Sequence, residues 1–233
     1  GLTNTLRFKH KICVNLPSAR KPYGALIRGL LIARDNTREL CGSDMSSLED
    51  RTKQHYMWKH DPEYVQEMRK PGFDPHLDMA IAAGMLDVEQ SDWYKAHNKE
   101  TETLADHLKY ENLGLMRHAG KSTNYAATYG AQGPTIARSA GVAEEVGELL
   151  HQSYWERNWS LKAIADECIV KNSRGMKWLW NPVAQLWIYL KAEKDRFSTL
   201  NQSTGTFAFD RWVYYLLEQR PQLTEQFHDE VIL

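Results

Sequence analysis

The chain has 233 residues, 42% apolar, 25% charged and 11% aromatic, with a formal net charge of -1. This composition excludes disordered and collagen-like chains and suffices for one good core or two small ones. Its longest apolar stretch, Ala25 to Ala33, is interrupted by Arg28 and falls far short of the roughly 20 residues of a membrane span, so no membrane partner is expected.

The N-terminal GLTNTLRFKHK is basic but has no apolar segment or small-residue cleavage site behind it, which points away from secretion and toward the cytoplasm. Cys13, Cys41 and Cys168 are widely spaced and odd in number, so neither a disulfide framework nor a zinc knuckle is indicated, and reduced, mostly buried thiols are expected. His55 and His60 lack the H-E-x-x-H spacing of a zinc site. Charge is uneven: residues 1–38 sum to +7 and residues 114–140 to +3, with acidic stretches between and after them. A basic arm and a basic segment beside carboxylates suit a nucleic-acid enzyme, and equally an ordinary charged surface.

In chain order, Ala25 to Ala33 and Glu39 to Met45 flank the turn-forming Arg34-Asp35-Asn36-Thr37 and predict a β-hairpin that delivers Asp44 at a strand end. Leu48 to Met68 is helical in pattern and stops at Pro71-Gly72. His76 to Met85, Glu100 to Leu108 and Leu115 to Tyr129 read as further helices, the last closed by Gly130. Ala143 to Lys171 is a long helical stretch. A tight turn at Lys171 to Gly175 leads to a strand with Trp178 and Trp180, Asn201 to Leu217 is a helix, and Thr224 to Leu233 a strand. The Trp155/Trp159 and Trp178/Trp180/Trp187 sets could stack on bases, but at helical or strand spacing they are expected in the core.

Three segments carry chemistry. In Gly42 to Arg51 a strand ends in Asp44 and a helix begins within a turn; Asp44 is a carboxylate fixed in position by the sheet, or Asp44 or Ser46 is simply the cap of the helix that follows. In Arg117, Lys121, Tyr125 and Tyr129, spaced by four, each step advances about 6 Å along a helix and drifts about 40° around it, giving one face of two cations and two rings. That face can grip successive phosphates with rings beyond, or be a solvated basic end on a helix whose rings are core. In Phe227 to Leu233, the adjacent acids Asp229 and Glu230 lie in an apolar strand, where a metal ion would offset a carboxylate turned inward. An exposed edge strand explains the same residues without one.

Taken in order, these segments resemble motifs A, B and C of family A DNA polymerases, the DNA polymerase I type, particularly the phage branch. D-x-S-x-x-E-x-R is met at Asp44, Ser46, Glu49 and Arg51; R-x3-K-x3-(F/Y)-x3-Y-G at Arg117, Lys121, Tyr125, Tyr129 and Gly130; and H-D-E at His228, Asp229 and Glu230. Pro17 to Gly24 with Arg28 resembles the segment leading into the palm, Phe73 to His76 its D-x-H turn, and Gln202 to Gly205 its Q-(S/G)-x-G helix; Ser198 stands where the family has Asn.

The resemblance implies an α+β fold, an antiparallel β palm with a large inserted helical fingers subdomain, mostly helical overall. Residues 1–50 would be the first part of the palm, 51–175 the fingers with the motif B helix at 115–130, and 176–233 the second part of the palm. It implies template-directed DNA synthesis from dNTP on a primer-template, with two Mg2+ ions held by Asp44, Asp229 and the Met45 backbone carbonyl. Arg117, Lys121 and His76 would hold the triphosphate, with Lys121 also catalytic. Glu49 would exclude a ribose 2′-hydroxyl, Tyr125 lie beside the sugar and Tyr129 near the templating base. His228, Gln202, Arg7, Asn15 and Glu230 would contact primer-template. For a viral protein the compartment would be the host cytoplasm.

Because the sequence stops three residues after His-Asp-Glu, a thumb, an exonuclease and the closing C-terminal palm segment are expected on flanking sequence or a second polypeptide. The chain alone is then expected to bind primer-template poorly or be inactive. Rival readings are a single-subunit RNA polymerase-like enzyme, against which Glu49 argues, a non-catalytic nucleic-acid-binding remnant, and a metal-dependent phosphohydrolase, which leaves the Arg117 to Tyr129 face without a purpose.

Overall fold

The structure, a computed structural model, describes residues 2–9, 17, 21–30, 32–33, 35, 37, 39–219, 225–227 and 230–232. The fold is α+β, mostly helical with small antiparallel sheets, as the sequence leads one to expect. It divides into two compact units: Gly1–Lys53 with Ile169–Lys191 and Thr199–Leu233, and Gln54–Cys168 with Ala192–Ser198. Among the described residues no helix is long and apolar enough to cross a membrane.

In the first unit the predicted hairpin is replaced. Gly24–Arg28 forms a short helix, α1, closed by Ile27 N–H to Tyr23 and Gly29 N–H to Ala25, each 2.9 Å. The strand that ends on Asp44, β1 (Gly42–Asp44), pairs instead with a strand from the C-terminal end of the sequence. Deprived of that ladder, the 24–28 run satisfies its backbone locally, which only a helical turn allows.

The single C-terminal strand expected from Thr224 to Leu233 is two, β5 (Glu225–Phe227) and β6 (Glu230–Ile232), antiparallel with Phe227 opposite Glu230. The resulting sheet runs β1-β6-β5. A second sheet contains β2 (Val170–Ser173), β3 (Met176–Asn181) and β4 (Leu186–Leu190), all antiparallel. Arg174 and Gly175, at φ 52° and 74°, make the left-handed pair that a two-residue hairpin turn demands. Leu179, Ile188 and Leu190 point from this sheet into the core, where buried Asn181 donates from Nδ2 to Ser203 Oγ (2.8 Å) and Thr204 Oγ1 (3.0 Å). Those hydroxyls belong to α10 (Arg196–Gln219), whose Phe209 and Val213 pack on Leu48 at the start of α2 (Leu48–Met57), with Met45 and Trp212 alongside.

The second unit takes up the rest of α2 and continues with α3 (Pro62–Met68), which corrects the continuous 48–68 helix: Pro62 has no N–H to donate, and Asp61 caps the new start by accepting from Tyr64 N–H at 3.1 Å. Next come α4 (Pro75–Ala82) and α5 (Val88–Ala96), the latter opened by an Asp87/Gln90 capping box and not foreseen. The two helices expected at 100–108 and 115–129 are one, α6 (Leu104–Thr128), begun by a Thr103/Asp106 capping box and ended at Gly130, φ 78°. α7 (Gly133–Ala140) follows, and the long 143–171 helix is instead α8 (Glu144–Arg157) and α9 (Ser160–Glu167), broken at buried Asn158, whose Nδ2 turns back to Tyr154 O.

Leu77, Ala80, Leu86 and Leu113 form the core between α4 and α6, which approach so closely that a Cβ on Gly120 would collide with the His76 carbonyl oxygen. Expectations about burial fail in three places, one being Trp178, Trp180 and Trp187, which are half-buried on the face of the sheet away from Leu179 and Ile188 and are not core residues. Cys41 is exposed and Cys168 only half-buried, Cys13 lying outside the described residues, and Trp159 is 50% exposed because it sits at the α8–α9 break.

Candidate functional site

Two groups of sequence-predicted residues are assembled, one in each unit. In the second unit, α6 buries Leu113, Gly120, Thr123 and Ala127 on one side, which leaves the row Arg117, Lys121, Tyr125 and Tyr129 facing outward. Lys121, Tyr125 and Tyr129 are exposed and Arg117 half-buried.

The row is held at one end by Asp74. Its Oδ1 caps α4, accepting from the N–H of His76 (2.8 Å) and Leu77 (3.1 Å), and its Oδ2 accepts from Arg117 Nε at 2.8 Å. Burial works to raise the Asp74 carboxyl, but the Arg117 hydrogen bond and the two N–H groups outweigh it, so it titrates below the ordinary carboxylate value. Arg117 is thus fixed through Nε, with its forked nitrogens remaining for an anion.

His76 is set beside the same row. Asn124 Nδ2 donates to Pro75 O at 2.8 Å and lies 3.4 Å from His76 Nδ1, and the His76 ring is 6.1 Å from that of Tyr125. Lys121 Nζ is 5.9 Å from the Tyr125 centroid. Two cations, an imidazole and a phenol ring therefore share one surface. Sequence reasoning had the row and His76, but not the anchoring role of Asp74 nor Asn124. The Asp-Pro helix start was a readable signal for the former.

In the first unit, Asp44 ends β1, exposed, directly opposite Glu230 in the β1–β6 register. Its neighbour Met45 packs partly on the Leu48/Phe209 core. Asp229 and His228, like Asn15, lie outside the described residues. Arg7 Nη1 donates to Glu49 Oε1 at 3.1 Å, Asn201 Nδ2 donates to the Glu49 carbonyl at 3.1 Å, and Thr5 Oγ1 donates to Gln202 Oε1 at 3.4 Å. The structure thus gathers Arg7, Glu49 and Gln202 from three distant parts of the sequence. Thr5, 3% exposed, is the member the sequence did not suggest.

A carboxylate at a strand end with a backbone carbonyl beside it is a hard-oxygen donor set, suited to Mg2+ rather than to a soft metal. Among the described residues no three His, Cys, Asp or Glu side chains are grouped as metal ligands.

No protein-family profile and no curated protein sequence matches the chain. Among solved structures, its fold is similar to that of the POL domain of Pol1 from M. smegmatis in complex with DNA primer-template and dNTP. The TM-score is 0.66 at 17% sequence identity, over 99% of this chain. The chain spans 39% of the length of that structure.

Proposed function

We propose that this chain performs template-directed DNA synthesis, transferring a nucleotidyl group from a dNTP to a primer 3′-hydroxyl. The observation that carries the reading is the antiparallel pairing of Asp44 with Glu230, the residue after Asp229. The pairing brings the strand end that carries Asp44 to the residue next to Asp229, 185 positions on in sequence, as a shared metal pair would need, and the likeness to the fold of a polymerase domain supports the polymerase reading. The first unit would be the palm and the second the fingers.

In this reading Asp44, Asp229 and the Met45 carbonyl would hold two Mg2+ ions, which when bound would supply charge neutralisation at the phosphates and a lowered pKa for the primer hydroxyl. The protein's own groups do the rest. Arg117, pinned by Asp74, presents its fork to one phosphate, and Lys121 one turn on gives a point charge to the next. His76 adds a hydrogen bond, held by Asn124 from behind. Within the second unit Arg117 and His76 are held by Asp74 and Asn124 before any nucleotide binds, so little reorganisation of these groups would be required as charge develops on the phosphates they hold. Tyr125 and Tyr129 offer planar surfaces to sugar and base. Glu49, held by Arg7 at 3.1 Å, would exclude a ribose 2′-hydroxyl. Gln202 and Arg7 contact the minor-groove edge, where acceptors lie alike for all base pairs. Asn15, His228 and Glu230 complete the primer-template contacts.

Primer extension on a labelled primer-template by the polypeptide that contains this sequence tests the assignment. Asp44→Ala and Asp229→Ala should each abolish Mg2+-dependent incorporation. Synthesis unchanged by Asp229→Ala overturns the metal assignment.

A further inference from the structure

The outward face of the β2–β4 sheet is the opposite of what a solvated antiparallel sheet normally presents. Such a sheet alternates apolar residues toward the core with polar residues toward water. Here the inward positions Leu179, Ile188 and Leu190 are buried as expected, yet the alternate positions are the half-buried Trp178, Trp180 and Trp187 and the exposed Tyr189. These rings are paired across the strands, Trp178 with Tyr189 at 5.9 Å and Trp180 with Trp187 at 5.3 Å between centroids. Lys171 reaches over from β2 to place its Nζ 3.8 Å from the Trp187 ring centre.

Charge on the same element is one-sided. Ile169 to Lys191 contains Lys171, Arg174, Lys177 and Lys191 and no Asp or Glu, in a chain whose net charge is -1. Arg174 stands at the tip of the β2–β3 turn and is exposed. A row of aromatic rings edged by cations, with no acid in the segment, complements a ligand that is itself anionic and carries flat rings at regular intervals.

We propose that this face binds single-stranded nucleic acid. Unpaired bases stack on Trp180, Trp187 and Tyr189 while Lys171 and Arg174 pair with the phosphates between them. Stacking and backbone charge are sequence-tolerant, so the surface takes any unpaired strand. The inference is independent of the nucleotidyl-transfer assignment, since no residue of that site takes part.

Fluorescence anisotropy with labelled oligo(dT) tests it, alongside ultraviolet cross-linking of the same oligonucleotide with the attachment points mapped by mass spectrometry. Trp187→Ala should weaken binding about tenfold and Trp187→Phe far less. Lys171→Gln with Arg174→Asn, the latter tolerated at a left-handed position, should lower the slope of log affinity against log salt by about 1.4. Asp44→Ala should leave binding intact, and cross-links should fall on the sheet aromatics. Affinity within about twofold of the parent in both the ring and the charge variants, or cross-links confined to other segments, overturns the proposal. A surface serving a protein partner would give that result. The charge variants lie on exposed positions, so they report even if loss of a ring disturbs the sheet.

Discussion

Arg117 and Asp74 meet across 43 residues of sequence, guanidinium Nε 2.8 Å from carboxylate Oδ2, and the same carboxylate caps the helix that carries His76. One side chain therefore sets the position of two candidate phosphate ligands. Asp74→Ala should cost about 1 kcal/mol through the lost cap alone, and should raise the KM for dNTP as Arg117 loses its tether. Folding holds this carboxyl below its usual value, so its contribution is complete above about pH 4 and lost as pH falls through the lower folded-state value. Asp74→Asn keeps a capping oxygen and should flatten that acid limb. Urea unfolding at a series of acid pH values reads it.

Gly120 marks where α4 and α6 come closest. Gly120→Ala should destabilise by about 1–3 kcal/mol, because the obstacle is the His76 backbone and not a movable side chain. Denaturant midpoints measure this, and the displaced His76 should show as weaker dNTP binding.

Arg157 ties the second unit together. It donates to Asp78 (3.1 and 3.2 Å) and Glu67 (2.6 Å), with its guanidinium 3.8 Å from the Tyr64 ring centre. Arg157→Met should cost about 1.5–3 kcal/mol, seen as a fall in Tm, and should leave nucleotide affinity of the remaining folded protein unchanged.

Thiol chemistry should separate the cysteines. Burial raises the Cys168 thiol to about 11, with Arg196 opposing and Glu167 and Asp166 reinforcing the shift, whereas Cys41 is exposed. Iodoacetamide at about pH 8, with peptide mapping, should label Cys41 well before Cys168, because the thiolate is the reactive form.

Glu49 is held by Arg7 at 3.1 Å. Glu49→Ala should raise ribonucleotide incorporation relative to dNTP in primer extension, and Arg7→Ala should do so more weakly by releasing the carboxylate. Equal use of both sugars by the parent protein would favour an RNA polymerase-like enzyme.

Much of the local structure was legible in the sequence. Gly130 ends α6, the four-residue spacing of Arg117, Lys121, Tyr125 and Tyr129 gives an outward row, and Asp44 terminates a strand. Capping boxes at Asp87/Gln90 and Thr103/Asp106 mark the starts of α5 and α6, and their polar residues interrupt the apolar period by which helices are recognised. The 24–28 run has the aliphatic composition of a strand, and only the pairing of β1 with β6, almost 190 positions on, decides otherwise. Links such as Arg7 to Glu49 or Asn201 to the Glu49 carbonyl depend on which loops close, and periodicity does not encode that.

Asn181 has every polar valence of its amide in use: two donations to α10, and acceptance from the N–H of Val183 and Ala184 at 3.0 Å each. The amide is at once the clasp of the β3–β4 turn and the rivet between sheet and helix. Sliding β3 by a single residue would rotate this amide out to water and swing the indoles of Trp178 and Trp180 inward, so one neutral side chain polices the alignment of the whole sheet.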